Sequence, residues 1–87
     1  MEIEFTQQAY KDLEEWKKSG NSKALKKIRE LTEAILTDPF SGIGKPEPLK
    51  YQYTGKWSRR IDREHRYIYE IRNNTLYVFS LRGHYTP

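Results

Sequence analysis

Hydrophobic and polar positions change their period twice along this chain, and the changes mark out its predicted elements. Residues 2 to 5 alternate Glu, Ile, Glu, Phe, the period of a half-buried strand. Thr6 then offers a hydroxyl to cap a helix in which Ala9, Leu13 and Trp16 recur at helical spacing, until Ser19, Gly20 and Asn21 stop the run. Ser22 is placed to cap a second helix, whose Leu25, Ile28, Leu31, Thr32 and Ile35 form one apolar stripe before Asp38 and Pro39 end it. Two helices joined by so short a turn make an antiparallel hairpin, and its stripe must be buried against another layer.

From Pro39 to Pro48 the chain reads as loop, rich in Pro and Gly, with Phe40 and Ile43 as its anchors. Beyond it the period is two. Leu49, Tyr51 and Tyr53 alternate with Lys50 and Gln52, and Thr54 and Gly55 turn the chain; Trp57, Arg59 and Ile61 alternate with Ser58 and Arg60. After a turn near Asp62 to Glu64, Tyr67, Tyr69 and Ile71 alternate with Arg66, Ile68 and Glu70, and Asn73-Asn74 reads as a tight hairpin turn because both residues tolerate positive φ. A last strand runs from about Thr75 to Leu81. The pattern predicts an α+β fold in a single domain over residues 1 to 87, with a leading strand, a two-helix hairpin and an antiparallel sheet.

Parity assigns the faces of that sheet. If Tyr51, Trp57, Ile61, Tyr67, Tyr69, Ile71, Tyr77, Phe79 and Leu81 pack on the helices, then Lys50, Gln52, Ser58, Arg60, Arg66, Ser80, Arg82 and His84 face away and form a basic floor. Arg59 falls on the core parity, where a bulge would absorb it. Ile68, Leu76 and Val78 fall on the open parity and form an apolar strip, a candidate edge for a protein partner.

Charge sharpens this picture. The net charge is +4, but residues 1 to 44 carry seven Lys/Arg against eight Asp/Glu while residues 45 to 87 carry nine against four, so the positive field belongs to the sheet half. Such a field attracts polyanions, nucleic acid above all. The chain has no cysteine, which removes disulfides and thiolate metal sites, and His65 and His84 alone build no chelating cluster. The start Met1-Glu2-Ile3-Glu4-Phe5 lacks a signal-peptide pattern and no run reaches membrane-spanning length, so a cytoplasmic protein without a cofactor or metal is expected.

Cleaving RNA without a metal needs a base for the ribose 2′-hydroxyl, a cation for the phosphorane oxygens and an acid for the departing 5′-oxygen. Glu47, held between Pro46 and Pro48, is a carboxylate on a restricted backbone. Arg66 opens a strand on the basic floor with Arg60 across the preceding turn, and an anion between two arginines relieves their repulsion. His84, after Gly83, can donate a proton near neutral pH, and Tyr85 beside it can stack on an unpaired base. His65, beside Glu64 in a turn, is the competing imidazole and is read as a structural hydrogen-bonding residue. The lysines at 17, 18, 23, 26 and 27 read as a solvated helix face.

The order of segments carries more. Thr-Asp-Pro-Phe at 37 to 40, Gly-Ile-Gly-Lys-Pro-Glu-Pro-Leu-Lys at 42 to 50, Gly-Lys-Trp-Ser-Arg-Arg-Ile at 55 to 61, Glu-His-Arg-Tyr-Ile-Tyr at 64 to 69 and the terminal His84-Tyr85 closely resemble the YoeB/Txe toxins of the RelE superfamily, over nearly the whole chain. The resemblance implies a RelE-like β-α-α-β-β-β fold with a further strand optional. It also implies a ribosome-dependent endoribonuclease that cuts messenger RNA in the ribosomal A site, leaves a 2′,3′-cyclic phosphate and is held inactive by a YefM-like antitoxin. The family admits a homodimer as well. Carried over by residue, the general base falls on Glu47, the transition-state arginine on Arg66 and the general acid on His84, with Lys50 and Arg60 supporting phosphate and Tyr85 positioning RNA. Thr86-Pro87 extends beyond the usual His-Tyr ending. A non-catalytic relative acting on a protein such as gyrase, or a plain RNA- or ribosome-binding module, is the alternative class.

Overall fold

The computed structural model describes residues 1–83; His84, Tyr85, Thr86 and Pro87 lie outside the described residues. Seven regular elements follow in order: β1 (Glu2–Phe5), α1 (Gln7–Ser19), α2 (Ser22–Thr37), β2 (Glu47–Pro48), β3 (Trp57–Arg60), β4 (Arg66–Arg72) and β5 (Thr75–Ser80), with a short 3-10 turn at Tyr51–Tyr53. Thr6 caps α1 by accepting from the Ala9 N–H at 3.1 Å, and Gly20, at φ 68°, ends it in the left-handed conformation that a side chain would resist. The second helix is capped by Asn21, whose Oδ1 accepts from the Ala24 N–H at 3.0 Å. Ser22, the expected cap, is instead the first helical residue.

The strands form one sheet in the order β1-β5-β4-β3-β2. All neighbours are antiparallel except β1, which runs parallel to β5 along the edge with Ile3 beside Leu76 and Phe5 beside Val78. Asn73 and Asn74 both adopt positive φ, as the β4–β5 hairpin requires. The helices cover one face. Ala24, Ile28, Leu31 and Ile35 of α2, with Ala9 and Trp16 of α1, meet Ile61, Tyr67, Tyr69, Leu76, Val78 and Leu81 in a single core. Among the described residues, no helix is long and apolar enough to cross a membrane.

Several face assignments differ from the parity reading, and those on β5 share one cause. The β-bulge lies in β5: Tyr69 pairs with Val78 but Ile68 with Ser80, leaving Phe79 as the extra residue. Before the bulge the even positions point to the helices, after it the odd ones do, so Leu76, Val78 and Leu81 are all 0% exposed. The expected apolar strip therefore does not exist; only Ile68 stays half-buried on the open face. Tyr77 and Phe79, expected in the core, face away from it, the first under the Arg72 guanidinium and the second under Lys56 Nζ at 4.5 Å. Leu49 to Tyr53 forms no strand: Leu49 is buried, and Tyr51, expected to be buried, is 71% exposed at φ 58°. Arg82 is not on the basic floor either, since its guanidinium lies over the Trp16 ring of α1.

Inside the core, the Tyr67 hydroxyl meets Thr32 Oγ1 at 2.7 Å. Burial pushes this hydroxyl up to about 12 from 10.0, because the charged phenolate is poorly solvated there. A raised folded value favours the protonated form, so the stabilisation is complete below pH 10 and is lost as pH rises toward 12. Urea denaturation between those limits should show a loss of about 2–3 kcal/mol assignable to Tyr67. Tyr67→Phe, weaker at neutral pH for want of the hydrogen bond, should converge on the wild type across that window; a constant gap would contradict the assignment.

Candidate functional site

The site is built on the open sheet face at its β2–β3–β4 end. Glu47 lies on the two-residue edge strand, opposite Ser58 of β3, and Ser58 lies opposite Ile68 of β4. Two residues further along the same face, Arg60 lies opposite Arg66. Strand spacing and rise put the Glu47 and Arg66 backbones roughly 12 Å apart, with Arg60 diagonal to Glu47. Two arginines and a carboxylate with side chains of this length can converge on one phosphodiester. The Pro46 and Pro48 backbones lack N–H donors, which stops a further strand from extending this edge.

Opposed arginines on neighbouring strands repel. Arg66 answers by turning one terminal nitrogen, Nη1, toward the β3–β4 turn, where it donates to the carbonyls of Asp62 at 2.9 Å, His65 at 3.2 Å and Arg63 at 3.3 Å. Arg60 is exposed and its guanidinium has no hydrogen-bonded or ionic partner among the described residues. Its backbone N–H is held by Gly44 O at 2.7 Å.

The loop that leads to Glu47 is held by a residue one place before Arg60. Arg59 is 0% exposed, and its guanidinium donates to the carbonyls of Asp38 at 2.7 Å, Ser41 at 2.9 Å and Ile43 at 3.0 Å, with Nε donating to the Tyr69 hydroxyl at 3.1 Å. Tyr69 in turn donates to Pro39 O at 2.7 Å, and burial raises its hydroxyl above the ordinary tyrosine value. The loop from Asp38 to Pro46 is thus tied to the sheet by its carbonyls. Phe40 and Ile43, expected as apolar anchors, are both exposed; Phe40 only flanks the Trp57 ring, and Ile43 contributes its backbone oxygen. Within the loop, the Ser41 hydroxyl and then the Phe40 N–H hold the Asp38 carboxyl below 3.8, with a smaller pull from Arg59.

Lys50 lies outside the expected strand, exposed at the entry to the 3-10 turn. His84 and Tyr85 fall outside the described residues. His65 has the structural use expected of it: Nδ1 accepts from the Gly83 N–H at 2.8 Å and the ring meets Trp16 edge-on. Two residues were underrated in sequence. An arginine on the buried parity signals a set of unpaired carbonyls nearby, and the Pro/Gly-rich loop is where such carbonyls are; Asp12, buried on α1, gave no comparable signal.

With this geometry in view, the family described as YoeB-like toxin of bacterial type II toxin-antitoxin system matches residues 5–85. The chain belongs to the YoeB toxin family. A Toxin YoeB of Synechocystis sp. is 48% identical over 85 residues, covering 98% of each chain. A solved YoeB/ParE toxin from Agrobacterium tumefaciens superposes with a TM-score of 0.94 at 38% identity, over 98% of this chain and 100% of that one. YoeB from Staphylococcus aureus, solved in complex with YefM and also as a dimer, gives TM-scores of 0.87 and 0.88 at 41% and 40% identity, over 98% of both chains. As a YoeB-family chain, this is the toxin of a type II toxin-antitoxin system.

Replacing Arg59 by Leu leaves three loop carbonyls and a tyrosine hydroxyl without their charged donor. The expected cost is at least about 3 kcal/mol in chemical denaturation, together with a changed Trp57 environment in near-ultraviolet circular dichroism. A loss under about 1 kcal/mol would show that the loop holds itself.

Proposed function

We propose that this YoeB-family toxin is a ribosome-dependent endoribonuclease that cuts messenger RNA by metal-independent acid-base catalysis. The observation that carries the reading is the strand register, which sets Glu47 and the Arg60–Arg66 pair at one end of one sheet face. Glu47 takes the proton from the 2′-hydroxyl, whose oxygen attacks the adjacent phosphorus. Arg66, supported by Arg60 and Lys50, neutralises the charge that grows on the phosphorane oxygens. His84 gives a proton to the departing 5′-oxygen, and Tyr85 stacks on the RNA. Base, cation and acid are then all supplied by side chains.

The substrate is messenger RNA in the ribosomal A site, and the positive charge of the sheet half favours that setting. The controlling partner is a YefM-like antitoxin, as the complex of the Staphylococcus aureus relative suggests, and the dimer of that relative supports self-association. The compartment is the cytoplasm.

Purified protein added to programmed ribosomes in the presence of a chelator should cut the message. Glu47→Gln and Arg66→Ala should each lower kcat by roughly a hundred- to ten-thousand-fold. An intact message, or a triple Glu47→Ala, Arg66→Ala, His84→Ala variant that still cuts, would count against the reading.

A further inference from the structure

Just before its last four residues, the chain is gripped along both edges. The Leu81 N–H donates to Asp12 Oδ2 at 2.9 Å and the Leu81 carbonyl accepts from Trp16 Nε1 at 2.8 Å. Two residues on, the Gly83 N–H donates to His65 Nδ1 at 2.8 Å and the Gly83 carbonyl accepts from the Arg66 backbone N–H at 3.0 Å. Strand β5 has already ended at Ser80, so three side chains do for these residues what a ladder would otherwise do.

The arrangement is costly enough to need a reason. Asp12 is a buried carboxylate inside a helix, with its other oxygen taken by Gln8 Nε2 at 2.8 Å. It lies one turn from Trp16 on the same face of α1, so the helix presents an acceptor and a donor to one residue, Leu81. His65 must be unprotonated at Nδ1 to receive the Gly83 N–H, which leaves its proton on Nε2, 3.2 Å from Glu64 Oε2. Its ring stands edge-on against Trp16, 4.9 Å between centroids, so the two arms of the clamp brace each other. The segment is tied at Gly83, the residue immediately preceding His84, and one of the ties is the Arg66 backbone N–H.

We propose that His65 and Asp12 are positioning residues for the proton-donating step, acting by fixing the chain from which His84 issues. The proposal rests on the endoribonuclease reading above. In that reaction the 2′-oxygen–phosphorus bond forms as the phosphorus–5′-oxygen bond breaks, the 2′-hydroxyl proton goes to Glu47, and the 5′-oxygen receives its proton from His84. The Arg66 contacts to Gly83 and His65 are made to backbone carbonyls that side-chain substitutions at His65 and Asp12 leave in place, so loss of their grip on Gly83 and Leu81 falls chiefly on the last transfer. It therefore becomes irrelevant when the leaving group needs no proton.

That dependence supplies the test. Programmed ribosomes are given messages with either the natural 5′-oxygen or a 5′-sulfur at the scissile linkage, since a thiolate departs unprotonated. His65→Phe keeps a ring against Trp16 and removes the acceptor; His65→Asn returns an acceptor near the Nδ1 position. On the oxygen message His65→Phe should lower kcat roughly ten- to hundredfold, with KM within about threefold. On the sulfur message its defect should shrink below about threefold, and His65→Asn should recover most of the lost activity on oxygen. Asp12→Leu should follow His65→Phe on both messages. Equal losses on the two messages, as a general loss of folded protein would give, or no loss on either, overturn the clamp while leaving the endoribonuclease reading intact. Wild-type protein that cuts neither message overturns that reading and the clamp with it.

Discussion

A guanidinium held in the interior by neutral oxygens is the constraint on which this molecule depends. Arg59 cannot shed its charge, so a fully buried position demands strong acceptors on several sides at once. Helices and strands have already spent their carbonyls on one another; a loop has not. The Asp38 to Pro46 segment meets the demand with three carbonyls, and Tyr69 adds a hydroxyl that is itself anchored to Pro39. Gly44 then lets the loop close: at φ 82°, an added Cβ would lie 2.7 Å from Leu31 and 3.2 Å from Arg59 Cβ. Charge burial thereby becomes loop order, and loop order sets where Glu47 enters the sheet.

The opposite flank of the site is organised by the same logic with different chemistry. There a backbone segment runs out of strand partners at Leu81, and Asp12, Trp16 and His65 supply the missing donors and acceptors from α1 and the β3–β4 turn. The two devices converge on neighbouring strands. Arg59 precedes Arg60 on β3, and His65, at the end of the β3–β4 turn, directly precedes Arg66, the first residue of β4, so each residue that points inward to hold a non-strand segment is followed by one on the open face. The period-two geometry of a strand couples scaffolding to the site. It also ties the Asp38 to Pro46 loop and the Leu81 to Gly83 segment, neither of which belongs to a strand, to the sheet.

Much of the fold was legible because its periods are clean. The Glu-Ile-Glu-Phe strand, both helices and the Asn73-Asn74 turn lie where the pattern puts them. The cap of α2 was misplaced by one residue because Asn21 and Ser22 are both good caps. The faces of β5 are hidden for a deeper reason: Leu76-Tyr77-Val78-Phe79 is apolar on both parities, so nothing local reveals that the register slips at Phe79. Arg60 and Arg66 stood out by parity, and the register bears their pairing out. Glu47 stands out by its motif alone, and its two-residue strand, which includes Pro48, is too short to show a period. The partners of Arg59 and Asp12 are long-range and could not be read from any local window.

A 2′-hydroxyl driven onto the adjacent phosphorus, with side chains alone supplying proton transfer and charge, leaves its signature in the chemistry of the cut ends. Mass spectrometry of a message cut on ribosomes by the purified protein, with chelator present, should find a 2′,3′-cyclic phosphate on the upstream fragment and a 5′-hydroxyl on the downstream one. A 3′-hydroxyl paired with a 5′-phosphate would mean that water is the nucleophile, and would rule out attack by the 2′-hydroxyl.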